Sequence, residues 1–285
     1  MKTGFPALST RFSICAADVN PQLTYRIHAK RRVLLVNGAV KGGNPDSPQA
    51  EKQQEKGLTM KKGLTELVFI VDRSGSMGGL ESDTIGGFNA TLEAHRKEEG
   101  EAYVSTVLFD NEVEVLHDRL PIADVKPITN KEYWVRGCTA LLDAVGGAVN
   151  HISRVHGYLP EDARPEHTIV VITTDGMENA SREYTYEQVK KLITQKENEG
   201  WNFLFLGANI DAAAEADRIG ISSDYAATYV ADGKGTRVMH RAQCAATVAM
   251  RAGASMPAGS WKREVEEDTA SRGGRNAKRG FFSRR

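Results

Sequence analysis

The sequence predicts an α/β domain built on a doubly wound, mainly parallel sheet, with one antiparallel edge strand and helices on both faces. Three observations carry this. Short, largely apolar runs at 67–71, 168–174 and 201–206 are rich in branched and aromatic side chains, which suits strands buried on both faces. Segments with helical apolar spacing alternate with these runs between residues 64 and 255. One hairpin is inserted, because Asp110-Asn111 has turn chemistry between an apolar run at 102–109 and an alternating run at 112–116.

Taken in order, the first strand ends abruptly in Asp72-Arg73-Ser74-Gly75-Ser76-Met77. A helix is expected over 82–99, with Ser82 as its N-cap and Ile85, Phe88, Leu92 and His95 on one face. Gly86-Gly87 opposes this helix by about 1 kcal/mol per residue and suggests close packing on the sheet. After the hairpin, residues 121–130 read as loop. Gly137 breaks the chain, and an apolar-periodic helix follows over 140–155, which puts Thr139 at a loop-to-helix junction. The second apolar strand closes on Asp175-Gly176. An amphipathic helix over 186–199 leads to a third buried strand ended by Gly207. A short helix (211–219), a last strand (228–231) and a last helix (236–251) complete the pattern.

Outside this block the composition changes. Residues 1–59 show no sustained period. They include one strand-like run at 31–38 and a Gly-, Pro-, Gln- and charge-rich stretch at 41–56. They are expected to be a disordered arm, or a mis-called extension upstream of a true start at Met60. The domain proper is assigned to 60–255. Residues 256–285 are assigned to a basic flexible tail, rich in Arg, Gly and Lys from Ser271 onward.

Lys and Arg balance Asp and Glu at 37 each over the 285 residues, but unevenly. Residues 60–261 hold 20 basic against 29 acidic side chains, while both flanks are basic. An acidic central block does not suit a nucleic-acid-binding face, and any nucleic-acid contact would fall to the basic tail. Three widely spaced cysteines (Cys15, Cys138, Cys244) do not make a disulfide framework. With no apolar run of membrane-spanning length and no signal-peptide pattern, a soluble, cytoplasmic protein is expected.

The residues that carry chemistry lie on three loops. Asp72, Ser74 and Ser76 follow the first strand, Thr139 starts a helix, and Asp175 ends the second apolar strand. They can converge only if those two strands are neighbours, at the edge where open α/β sheets bind ligands. Together they offer two carboxylates and three hydroxyls, a hard-oxygen set without sulfur or imidazole that suits Mg²⁺ or Mn²⁺. Two carboxylates balance one divalent cation. With neutral hydroxyls filling much of its shell, the ion stays electron-poor and attracts an acidic side chain from another protein.

Asp72-x-Ser74-x-Ser76, Gly137-Cys138-Thr139-Ala140-Leu141 and Ile172-Thr173-Thr174-Asp175-Gly176 together resemble the metal-ion-dependent adhesion site of von Willebrand factor type A domains. The resemblance covers about 64–255 and is similar to the stand-alone intracellular members of bacteria and phages, some of which are associated with tellurite-resistance and stress gene clusters. It implies a Rossmann-like fold, a Mg²⁺ site at the top of the sheet with ligand positions at Asp72, Ser74, Ser76, Thr139 and Asp175, and metal-bridged binding of a partner's Glu or Asp. It implies a binding module, not an enzyme, in complex assembly or a stress response. The N-terminal arm and basic tail fall outside the family pattern.

Other readings compete. A metal-dependent phosphatase or hydrolase could use Asp72 as nucleophile, since a strand-end aspartate can take that role; against it, Ser74 stands where a second carboxylate would be expected. A nucleic-acid-associated protein could act through the basic tail. Asp110-Asn111 and Asp143 could sit near the site, but a hairpin turn and a helix residue are the plainer readings; Cys138 beside Thr139 could be reactive but reads as a small buried residue, and His151 and His156 read as surface or packing residues. Asp232-Gly233-Lys234-Gly235-Thr236 lacks the full phosphate-loop pattern and reads as a turn and helix cap.

Overall fold

In a computed structural model, residues 60–254 and 257–273 are described. The strand-like run at 31–38 and the expected N-terminal arm lie outside them. Six strands form one sheet: β1 (Lys61–Asp72), β2 (Glu101–Phe109), β3 (Val113–Pro121), β4 (Pro165–Thr174), β5 (Asn202–Ala208) and β6 (Ala226–Tyr229). Their spatial order is β3-β2-β1-β4-β5-β6. Every pairing is parallel except β2 with β3, the antiparallel edge hairpin.

The order gives the switch point. From β1 the chain moves outward through β2 and β3, then crosses back to place β4 on the other side of β1. Val71 is paired with Thr173, so the strand ends carrying Asp72 and Asp175 lie side by side. The loops after both strands therefore leave the same edge, over the crevice that this topology opens.

Alternate residues of β1 feed two core layers, as the two-residue strand period requires. Leu67, Phe69 and Val71 pack with Phe88 and Leu92 of α1 (Glu81–Arg96) and with Val238, Met239 and Ala246 of α5 (Gly233–Arg251). Val68 and Ile70 face the other way. They meet Leu141, Val145 and Val149 of α2 (Leu141–Tyr158), Val189 and Ile193 of α3 (Tyr186–Asn198), and Ala212 and Ala216 of α4 (Ala212–Arg218). Of the Gly86-Gly87 pair in α1 only Gly87 permits close packing, and on a helix instead of the sheet: a Cβ at Gly87 would lie 2.0 Å from the ring of His240 on α5, whereas one at Gly86 would meet nothing within 4 Å.

Three helix starts follow the local chemistry, whereas α1 and α2 begin at Leu80 and Ala140 without a side-chain cap. Thr185 and Gln188 form a reciprocal capping box on α3, Asp211 caps α4, and Asp232 caps α5 by accepting from Gly235 N at 2.8 Å. Ser82 does not cap α1. The N-cap is Leu80, and Glu81 and Asp83 supply negative charge to the first turn instead. Gly207 does not end the third buried strand but lies within β5. There a side chain would collide with Ala212 and Ile210, so the glycine permits close helix packing.

The tail expected from 256 onward is ordered further than its charge suggests. After a turn of 3-10 helix (Ser260–Lys262), residues Arg263–Gly273 form α6. Trp261 packs on the core layer and Val265 is buried in it. Thr269 Oγ1 donates to the Thr228 carbonyl on β6 at 3.0 Å, and Trp261 Nε1 donates to the Asp224 carbonyl at 2.9 Å. Two apolar residues four apart are enough for one docking stripe, which a charge count over the segment conceals.

Candidate metal centre

Asp72 is the last residue of β1 and is fully buried. Its Oδ1 accepts from the backbone N–H of Ser74 at 2.6 Å, and its Oδ2 accepts from Thr174 Oγ1 at 2.6 Å. A short 3-10 turn (Gly75–Met77) then turns the chain so that Ser74 and Ser76 face each other, with hydroxyl oxygens 2.9 Å apart. Ser76 is exposed, and its hydroxyl donates to Asp175 Oδ1 at 2.5 Å. Thr139 is buried. Gly176 places it in the same cluster: a Cβ on that glycine would lie 2.5 Å from Thr139 Oγ1 and 3.3 Å from Ser76 Oγ. The structure thus brings all five sequence-predicted residues to one edge of the sheet.

The loops are tied to one another by backbone bonds. Gly75 N donates to Gly137 O at 3.1 Å and Arg136 N to Arg73 O at 2.8 Å. Gly137 has φ +68°, and a side chain there would strike Asn111 Oδ1, so only glycine suits this crossing. On the other side, Thr139 N donates to Asn179 Oδ1 at 2.9 Å, and Thr139 O accepts from Asn179 N at 3.0 Å. Glu178 accepts from Leu142 N, Ala180 N and Ser181 N, while Asp143 accepts from Arg182 N, Glu183 N and Tyr184 N. The start of α2 and the loop after Asp175 therefore hold each other.

Several of these supporting residues escape sequence reasoning. Asp143 and the Asp110-Asn111 turn are not among them: they lie beside the site, the alternative the sequence left open against plain helix and turn roles, with Asp143 bonding the loop after Asp175 and Asn111 Oδ1 accepting from Cys138 N at 3.1 Å. Thr174, Asn179 and Glu178 carry no motif of their own. Tyr133 is another, with its hydroxyl donating to the Asp72 carbonyl at 2.6 Å. For Thr174, Glu178, Asn179 and Tyr133 the signal in the sequence is proximity to Asp175 or Thr139.

Electrostatically the cluster asks for positive charge. Burial pushes the Asp72 carboxyl up, against the hydrogen bonds from Thr174 and Ser74. Burial also pushes Asp175 up to about 6, with the Asp72 charge adding to it and the Ser76 bond opposing. Two carboxylates in dry surroundings with converging hydroxyls form a hard-oxygen donor set of the kind that holds Mg²⁺ or Mn²⁺. Among the described residues no group of three or more His, Cys, Asp or Glu could hold a metal, so any cation here depends on the hydroxyls. A cavity of about 490 Å³ opens at the opposite ends of the strands, beside His156, Lys196 and Trp201, remote from these five residues.

Fold and cluster together define an α/β domain with two carboxylates and three hydroxyls gathered at the switch point of its sheet. No protein-family model matches the chain, and no curated protein matches it. Solved structures similar to it include proximal thread matrix protein 1 from the mussel byssus, at 14% identity and TM-score 0.46, covering 65% of this chain and 46% of that one. A form of the same mussel protein with a zinc-occupied MIDAS motif is similar at 14% identity and TM-score 0.45, covering 67% and 46%. Manganese-loaded TRAP protein of Plasmodium vivax is similar at 16% identity and TM-score 0.37, covering 51% and 57%. The chain spans less than half the length of the mussel protein. Its fold class stands on its own strand order and pairing. Among the described residues no helix is long and apolar enough to cross a membrane.

Proposed function

We propose that this chain is a cytoplasmic protein-binding module of the von Willebrand factor type A kind. In this reading Ser74, Ser76, Thr139, Asp72 and Asp175 hold one Mg²⁺ or Mn²⁺, and the site captures a Glu or Asp side chain of a partner protein during complex assembly. The observation that carries the reading is the hydrogen-bonded run Ser74–Ser76–Asp175, with Thr139 brought beside it across Gly176. When bound, the ion supplies a Lewis-acid position for a carboxylate oxygen. Asp72 and Asp175 balance its charge, and the neutral hydroxyls leave it electron-poor. Thr174 and the Ser74 amide orient Asp72.

The hydrolase reading, with Asp72 as nucleophile, is weaker. That carboxylate is fully buried and each of its oxygens already accepts a hydrogen bond. Thermal melts with millimolar Mg²⁺ or Mn²⁺ against EDTA test the metal site, and the reading fails if neither ion raises the midpoint. Affinity capture in Mg²⁺ against EDTA, repeated with Asp72→Ala, tests the partner. Phosphatase turnover that disappears in Asp72→Asn would favour the hydrolase instead.

A further inference from the structure

Asp110 lies at the tip of the β2–β3 hairpin, outside the five-residue cluster, yet it touches two of the three loops that build it. Its carboxylate is fully buried. Oδ2 accepts from Arg73 Nε at 2.9 Å and from Arg136 Nε at 2.7 Å. Oδ1 accepts from Glu112 N at 2.8 Å. Its carbonyl accepts from Ala140 N at 2.8 Å. Arg73 stands between Asp72 and Ser74, Arg136 precedes Gly137, and Ala140 follows Thr139. One residue thus bonds the loop carrying Ser74 and Ser76 and brackets the loop carrying Thr139.

Arg73 is an uncommon occupant of such a place. It is 1% exposed, and its second arm reaches Glu114 Oε2 on β3 at 2.7 Å. Both guanidinium groups also lie over the Trp134 ring, at 5.4 Å for Arg73 and 4.7 Å for Arg136. A buried Arg–carboxylate contact is costly to form and more costly to break, because removing one partner strands the other charge. Such an arrangement adds little net stability.

We propose that Asp110 is a positioning residue for the metal centre: through Arg73 and Arg136 it holds the Ser74–Ser76 loop and the Thr139 loop in mutual register, and so sets the cation affinity. This rests on the metal reading above. A first-row or alkaline-earth cation needs its oxygens within a few tenths of an ångström of their places. Ser74, Ser76 and Thr139 come from two loops joined otherwise by the Gly75–Gly137 and Arg73–Arg136 backbone bonds.

The test is Mn²⁺ affinity of the full chain by titration calorimetry, at a temperature where circular dichroism shows each variant folded. Asp110→Asn keeps the shape and removes the charge shared by the two arginines. Arg136→Gln removes one arm from a side chain that is 41% exposed, so it spares folding. About tenfold weaker binding is expected for Asp110→Asn, and a smaller loss of the same sign for Arg136→Gln, with Arg136→Lys recovering part of it. A purely structural Asp110 would lower the melting midpoint without changing the dissociation constant of the folded protein. Wild-type affinity, within twofold, in both Asp110→Asn and Arg136→Gln overturns the proposal while leaving the metal site standing. Should Asp110→Asn not fold, Arg136→Gln decides by the same criterion. Absence of Mn²⁺ binding in the wild type overturns the metal reading, and the positioning role with it.

Discussion

Gly176→Ala tests the cluster with one added methyl. Gly176 does not need a left-handed backbone, so alanine brings no conformational strain of its own. The cost is steric, since the new Cβ would lie 2.5 Å from Thr139 Oγ1 and 3.3 Å from Ser76 Oγ. Thr139 cannot retreat by its backbone, which is bonded to Asn179 through both N–H and carbonyl. Its hydroxyl must therefore rotate out of the cluster, or the neighbours must absorb an overpacking cost of about 1–3 kcal/mol. Misplacing one oxygen is expected to weaken cation binding by about 10- to 100-fold, the range seen when support around metal ligands is lost. At a cation concentration of about 100 times the wild-type dissociation constant, binding stabilises the wild type by about 2.7 kcal/mol. A 50-fold weaker variant would gain only about 0.7 kcal/mol under the same conditions. For a domain of this size the midpoint rise on adding Mn²⁺ then falls from about 5–11 °C to about 1–3 °C. Differential scanning fluorimetry with and without Mn²⁺ reads this directly. Gly147→Ala is the control, because nothing lies within 4 Å of its Cβ and a helix gains about 0.5–1 kcal/mol from the exchange. A folded Gly176→Ala protein that keeps the full wild-type Mn²⁺ shift would refute the arrangement of Thr139 and Ser76 described here.

Three further outcomes are expected. Asp72→Asn should melt in EDTA within a few degrees of the wild type, because burial already opposes the ionised carboxylate, yet show no rise with Mg²⁺ or Mn²⁺ in the same scan. Gly87→Ala should destabilise by about 1–3 kcal/mol in urea titration, because its methyl meets the buried His240 ring, whereas Gly86→Ala beside it should be neutral or stabilising. Acid should weaken the fold through two histidines between α1 and α5. Burial lowers His95 to about 4, helped by the Arg251 charge, and lowers His240 to about 4 against its Gln243 bond and the Asp83 charge. The unfolded chain then binds more protons between pH 6.5 and 4, so their contribution is complete above 6.5 and is lost as pH falls toward 4, by roughly 3 kcal/mol per histidine. Asp175, raised to about 6, acts in the opposite sense in the metal-free protein, so the comparison is between wild type and His240→Gln at each pH. Equal slopes of stability against pH in the two proteins would count against the buried-neutral assignment.

Much of the fold was legible because strand and helix periods are local properties. The apolar runs before Asp72 and Asp175 mark buried strands, and Asp110-Asn111 marks the antiparallel edge hairpin. The five-residue cluster was legible as a pattern too, since two hydroxyls at alternate positions after a strand-end aspartate, a threonine at a helix start and an Asp-Gly at another strand end are local features. Failures came where a tertiary contact decided the matter. Leu80 took the cap from Ser82, Gly207 served packing on Ala212 instead of ending a strand, and Trp261 and Val265 drew a charged segment onto the core.

By itself, then, the sequence determined the alternation of elements and the chemical types of the residues on the loops after β1 and β4 and before α2. Only the tertiary structure decided that β1 and β4 are neighbours, and so that donors 99 residues apart in the chain share a hydrogen bond between Ser76 and Asp175. It also decided what holds them there. Asn179 grips Thr139 and Asp110 grips Arg73 and Arg136, through side chains whose sequence neighbourhood resembles any polar turn. The physical reason is range. Propensity and periodicity act over a few residues, whereas the partner of a buried charge is chosen by which strands lie side by side.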